Sequence, residues 1–184
     1  MTSVPAVAQP SVGNKITAGS WAASVVALSD WVTQTDTTGA PFVQVRQATA
    51  QAAFAASTWT SITHDAEDFD PWGMHSTSSN TDRIVIGGLL GVWKVWGMVA
   101  FASNGTGNTR RAQVTFNGSA IVGSQKIEPP SASFCSVITP AVYVRATSAA
   151  DYVNLQGYHE ASASVATSVS GSYASILCAE YKGQ

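Results

Sequence analysis

Residues 63–76, THDAEDFDPWGMHS, gather two histidines, four acids and a tryptophan into fourteen positions, and nothing else in the chain concentrates charge in this way. Imidazoles from His64, His75 and the more distant His159, with Asp65, Glu67, Asp68 or Asp70, are the residue types that ligate a transition metal. The separation of His64 from His75, however, fits no compact zinc motif. DAEDFDPWG is rich in oxygen ligands but lacks the alternating Asp/Asn register and sixth-position glycine of a calcium loop. Paired carboxylates can cleave a glycosidic bond from two sides, yet these four are too close in sequence to define two sides. No aromatic-lined groove is evident beyond Trp72, and no G-x-S-x-G turn presents a nucleophilic serine. The simpler reading is a framework turn. Asp side chains cap backbone N–H groups, Pro71 fixes a bend, and Trp72 with Met74 pins the loop to the edge of the fold. No catalytic residue, metal ligand or cofactor is expected, and a cation bound at the acidic cluster would contradict that.

The elements that must position such a loop are written in the composition. The chain has 184 residues, of which 11% are charged, and small hydroxyl and apolar residues dominate. Disorder needs high charge and few large apolar groups, so this composition suits a β-rich protein. The formal net charge is −2 and Arg110–Arg111 is the only basic doublet. The electrostatic footprint of a nucleic-acid binder is therefore missing. Cys135 and Cys178 stand in apolar runs without CxxC or His spacing, which favours two isolated buried thiols over a disulfide. MTSVPAVAQPSVGNK has no basic region followed by an apolar one, so no secretory signal is expected. The apolar run IVIGGLLGVWKVWGMVAFA carries Lys94 at its middle and glycine at 87, 88, 91 and 97, and reads as strand, turn and strand instead of a membrane span.

Residues 1–40 differ from the rest. Two prolines and no periodicity suggest an extended arm, after which Trp21, Val25, Leu28 and Val32 fall on one helical face. An N-terminal arm and short amphipathic helix over 1–40 and a β domain over 41–184 follow. The helix, which also carries Trp31, is nearly uncharged and must pack on its own mates or on a larger particle. Beyond residue 40, eight to ten strands separated by Gly/Asn/Ser turns indicate an all-β sandwich or barrel, with Asn117–Gly118 as a hairpin signal. The segment 89–103 is apolar on both faces, with Trp93 on one and Trp96 on the other, whereas a strand with one wet face alternates. Either the N-terminal segment or another subunit covers its second face. Tyr143, Tyr152 and Tyr158 point outward from neighbouring strands, and outward tyrosines suit an oligomer interface. Trp93, Trp96, Tyr143, Tyr152 and Tyr158 are the candidate interface residues; Trp21, Val25, Leu28 and Trp31 are the candidate anchors.

The order of these features resembles the jelly-roll domains of the tumour-necrosis-factor and complement globular-head type, in the version found on tailed-phage virions. The likeness rests on TSITHDAEDFDPWGMHS followed by DRIVI, on the aromatic step Gly91-Val92-Trp93, on the Phe116-Asn117-Gly118 hairpin and on the closing SYASILCAEYKG. GNKITAGSWAASVVALSDWV also looks like the short G-x-x-I-T-A helix that precedes distal domains of phage tail proteins. The resemblance implies a jelly-roll homotrimer on the virion surface, bound to other virion proteins through residues 1–40. Its role would be structural or adhesive, with a host-surface glycan or protein met through loops 63–76, 103–109 and 161–171. Tail tip or fibre is favoured by the ITAGSW helix; capsid decoration at threefold positions is favoured by the short chain without a fibre shaft. A cell-surface glycan hydrolase is the outlying alternative. Gly157 and His159 depart from a bulky apolar interface strand, and ASASVATSVSG reads as a long featureless loop.

Overall fold

The computed structural model describes residues 41–183 together with Val25. Val25 has helical backbone and is roughly half exposed. The rest of the arm and helix expected over 1–40, with Trp21, Leu28 and Trp31, lies outside the described residues.

Twelve strands follow Pro41. They are β1 (Phe42–Arg46), β2 (Thr60–Ser61), β3 (Ala66–Phe69), β4 (Arg83–Val85), β5 (Gly91–Phe101) and β6 (Arg110–Phe116). After these come β7 (Ser119–Ala120), β8 (Lys126–Glu128), β9 (Cys135–Ile138), β10 (Val142–Ala146), β11 (Tyr152–His159) and β12 (Ile176–Gly183). The number exceeds the eight to ten expected because edges are broken into short pieces. One example is the edge of β5, where β9 and β10 pair with successive halves of the long strand. Pro140 cannot donate to the ladder, and between the two halves Gly97 N–H donates instead to Thr139 Oγ1 at 2.9 Å.

The strands form two antiparallel sheets. One runs β10-β5-β12-β1-β3 with β9 also on β5; the other runs β2-β11-β6-β7 with β4 on β11 and β8 on β6. From β1 to β6 each successive strand lies in the opposite sheet, and β11 and β12 again cross over. This is the jelly-roll β-sandwich that the sequence led one to expect. At the β6–β7 hairpin, Asn117 and Gly118 have φ of +49° and +80°. Both central residues of a type I′ turn need positive φ, which is why the Asn-Gly pair is there.

Alternation decides what fills the interior. Val43 and Val45 of β1, Val95, Val99 and Phe101 of β5 and Leu177 of β12 face Ala112 and Val114 of β6 and Val153 and Leu155 of β11. Trp93 shares the inward parity and has no exposed surface; its indole N–H donates to the Leu89 carbonyl at 3.0 Å. Trp93 is thus a core residue of the protomer and leaves the set of interface candidates. Both faces of this strand are apolar in sequence, so hydrophobicity did not say which tryptophan turned inward. Gly157 and His159 likewise face the interior. A Cβ on Gly157 would sit 3.3–3.4 Å from Ile62, Val99 and Phe101, and His159 is buried with Nε2 2.9 Å from the Phe54 carbonyl. Neither residue thins an oligomer interface.

At Gly97 a Cβ would lie 2.7 Å from the Ile176 carbonyl of the neighbouring strand and 3.0 Å from Leu155 of the opposite sheet. Gly97→Ala should cost about 1–3 kcal/mol, the range for overpacking a filled core. Urea unfolding reads this as a lower midpoint with an unchanged slope; an unshifted midpoint would show that the strands can part without cost.

Candidate functional site

The segment 63–76 is held from several directions. His64 is fully buried, and its neighbour Asp65 turns outward to accept from the Ala48 and Thr49 amides at 2.6 and 3.2 Å. Burial pushes the Asp65 carboxyl up, but these hydrogen bonds outweigh it and hold the group below the usual carboxylate range. Residues 66–69, expected as part of a turn, are instead strand β3, paired with β1 across a register shift between Gln44 and Val45. Asp68 accepts from Gln44 and pairs with Arg46 at 2.7 Å, which likewise outweighs burial and lowers its pKa. Glu67 lies 3.0 Å from His75 Nδ1. Asp70 accepts from the Met74 and His75 amides at 3.0 and 2.8 Å, closing the turn through Pro71 and Gly73. Trp72 and Met74 are buried beneath it. Each of the four acids is thus engaged by protein groups, and among the described residues no three metal-ligating side chains converge.

His64 is the exception within this framework. Neither ring nitrogen has a partner of hydrogen-bond geometry. Burial, and secondarily the His75 ring with its centroid 6.4 Å away, press its pKa down to about 3; the Thr81 carbonyl, Asp82 and Asp65 oppose this only weakly. The imidazole is therefore neutral at physiological pH.

Loops 103–109 and 161–171 share one end of the sandwich. The second loop is pinned: Val165 bridges Phe54, Thr167 bridges Phe101, and Ser168 N–H donates to the Ala100 carbonyl at 2.8 Å. The first is wound around Arg110, whose side chain is fully buried and donates to the carbonyls of Asn104, Thr106 and Thr109 at 2.7, 3.2 and 3.0 Å. This role was missed in the sequence, although strand alternation signals it: Arg110, Ala112 and Val114 share the inward face. Arg110→Met should cost about 2–3 kcal/mol, because carbonyls lose a charged donor. It should also speed amide exchange of residues 104–109; unchanged exchange there would refute the anchoring role.

Two outer faces remain, and they differ in chemistry. On the β5 sheet, strand register sets Tyr143, Lys94, Glu180 and Phe42 in one row; Trp96, Cys178, Gln44 and Phe69 in the next; and Ile138, Met98, Ile176 and Arg46 in a third. Phe42 packs between Phe69 and Trp96, with ring centroids 5.7 and 6.2 Å apart, and Lys94 Nζ lies 4.8 Å from the Trp96 ring centre. Tyr143 is 63% exposed, Ile138 61% and Phe69 45%, a concentration of large apolar side chains on a water-facing sheet. Cys178 is buried within this face and its thiol is pushed up to about 12 by burial; Cys178 and Cys135 are both free.

The second sheet's outer face carries the other two tyrosines. Tyr152 lies beneath the Arg83 guanidinium at 4.3 Å; Tyr158 lies beneath that of Arg111 at 4.7 Å and against Trp59 at 5.2 Å. The five aromatic candidates therefore do not form one surface: Trp93 is interior, Trp96 and Tyr143 share the β5 sheet, and Tyr152 and Tyr158 stand on the opposite side. Alternation told inward from outward, but strand order, which it does not encode, put β11 in the other sheet.

No family model and no curated protein matches the chain. Solved structures do. The globular domain of zebrafish complement 1qA superposes with a TM-score of 0.53 at 8% identity, covering 78% of this chain and 99% of that domain. Eiger TNF from S. frugiperda matches at 0.52 and 10%, covering 78% and 93%. Murine APRIL at pH 8.0 matches at 0.51 and 15%, covering 76% and 97%. At these identities the likeness is one of fold: the chain has the jelly roll of complement 1q globular domains and tumour-necrosis-factor proteins.

Proposed function

We propose that this chain is a structural protein of a tailed-phage virion, a homotrimer whose jelly-roll head stands on the particle surface and meets the host. The observation that carries the reading is the outer face of the β5 sheet. Beside the ion pairs Lys94–Glu180 and Arg46–Asp68, Phe42, Phe69, Trp96, Met98, Ile138 and Tyr143 place large apolar groups on one sheet surface of a single protomer, more than a solitary domain exposes on one face. Aromatic and methionine side chains are enriched, and charge is depleted, at the core of protein interfaces. A cyclic assembly of identical chains satisfies every copy of such a face at once. Residues 1–40, with Trp21, Val25, Leu28 and Trp31, would seat the trimer on other virion proteins. The work is assembly and contact, with no covalent chemistry.

The ITAGSW segment favours the tail tip or fibre over the shell. Gold-labelled antibody on purified virions tests this, with label confined to the tail expected. Uniform label over the head would replace the tail with shell decoration, and particles without label would overturn the virion role.

A further inference from the structure

The β11 sheet presents a surface that assembly through the other sheet leaves open. Along its outward side, Tyr152, Asn154, Gln156 and Tyr158 follow at every second residue, a span of about 20 Å at the strand rise of ~3.4 Å per residue. The middle pair is joined to β6 by side-chain amides and hydroxyls: Gln113 Nε2 donates to Gln156 Oε1 at 2.8 Å, and Thr115 Oγ1 donates to Asn154 Oδ1; Gln113, Thr115 and Asn154 are buried there, and of these four Gln156 reaches the surface. The two ends repeat one motif. Arg83 covers Tyr152 and is bound to Asp82 at 3.1 Å; Arg111 covers Tyr158 and is bound to Glu160 at 2.7 Å. Each guanidinium is matched by its own carboxylate, so the ladder carries no net charge.

At the Tyr152 end the surface deepens into a cleft of about 320 Å³. Arg83 and Val85 form the shared wall; His75, Ser76, Ser79 and Asn80 supply much of the rest. Val85 is the register partner of Tyr152, so the cleft continues the ladder directly. At the other end, Trp59 is half-buried against Tyr158.

We propose that this face binds a neutral oligosaccharide, lying along β11 from the cleft to Trp59. Charge matching points to that class. Phosphate or sulfate polymers require unpaired cations, and both arginines here are already neutralised. A protein partner requires an apolar centre, and the centre of this ladder is amide and hydroxyl. Sugar hydroxyls are both donors and acceptors, as are the half-buried Gln156 amide and the Ser79 and Asn80 side chains of the cleft. The C–H edges of a pyranose suit the electron-rich face of an indole such as Trp59, the Tyr152 and Tyr158 rings being covered by their guanidinium groups. The inference takes from the preceding section only that the protein meets a host surface.

The test uses the full chain on a printed array of neutral hexose and N-acetylhexosamine oligosaccharides beside sialylated and sulfated ones, with the mass in solution measured in parallel. Binding to neutral oligosaccharides is expected. It should fall about tenfold or more in Trp59→Ala and in Gln156→Ala, the latter removing one amide without touching the interior; tenfold corresponds to about 1.4 kcal/mol. The mass of both variants should equal that of the parent. Silence on neutral sugars, signal confined to acidic ones, or full binding by both variants would each overturn the proposal. A monomer that still binds would sink only the assembly reading, whereas a trimer that binds no neutral sugar would sink only this one.

Discussion

Acidification from pH 6.5 to about 4.5 should strip roughly 2 kcal/mol from the unfolding free energy, the slope nearing about 1.4 kcal/mol per unit for one proton once the unfolded imidazole is charged. The group responsible is His64. Folded, it stays neutral down to about 3 because it is buried, fully enclosed and without hydrogen-bond partners. Unfolded, it takes up a proton below its ordinary 6.5. The unfolded state then binds more protons, so stability is complete above pH 6.5 and is lost progressively as pH falls toward 3. Asp65, Asp68 and Asp151, whose folded pKa values are lowered, add their own losses only below the ordinary carboxylate value of 3.8. The two windows overlap only near and below 3.8, so the fall between pH 6.5 and 4.5 belongs to His64. His64→Leu removes two unpartnered ring nitrogens along with the titration, so its stability at pH 7 should stay within about 1 kcal/mol of the parent. Its slope between 6.5 and 4.5 should flatten. Urea unfolding at fixed protein concentration measures both, and an acid slope unchanged by the substitution would refute the assignment.

The second large effect belongs to Trp96. Its ring is half-buried on the outer face of the β5 sheet, outside the protomer's core. Trp96→Asp should leave the jelly roll folded while placing a carboxylate in the middle of the proposed contact. A buried aromatic anchor is worth about 2 kcal/mol or more on truncation. A cyclic trimer repeats each contact three times. The association constant should therefore fall by about 10⁴ or more, leaving monomer at micromolar concentration with a near-parental melting curve. A Trp96→Asp protein that keeps the parental mass would exclude this face as the interface.

What the sequence revealed follows the physics of alternation. Strand parity placed Tyr143, Tyr152 and Tyr158 outward, because a pleated strand sends successive side chains to opposite faces. The Asn117–Gly118 turn was legible because a two-residue hairpin demands positive φ. Parity carries no information about which sheet a strand joins, so one interface was read where the structure has two faces. Burial choices on a strand apolar on both sides were equally hidden: Trp93 and Trp96 look alike until the partner sheet is known. In the 63–76 segment the framework role of Asp70 could be anticipated from local capping, whereas Asp65 holds the amides of Ala48 and Thr49, seventeen and sixteen residues away. The strand character of residues 66–69 could not be anticipated, since it comes from pairing with β1 twenty or more residues earlier. The amide ladder across Gln113 and Gln156 was missed for the same reason; it exists only once β6 and β11 are neighbours.

Self-association through the β5 sheet is tested most directly by light scattering of the full chain during size-exclusion chromatography at neutral pH. A mass three times the 19.1 kDa of one chain is expected. A single peak at 19.1 kDa would show that the apolar face stands alone in water and would contradict the trimer.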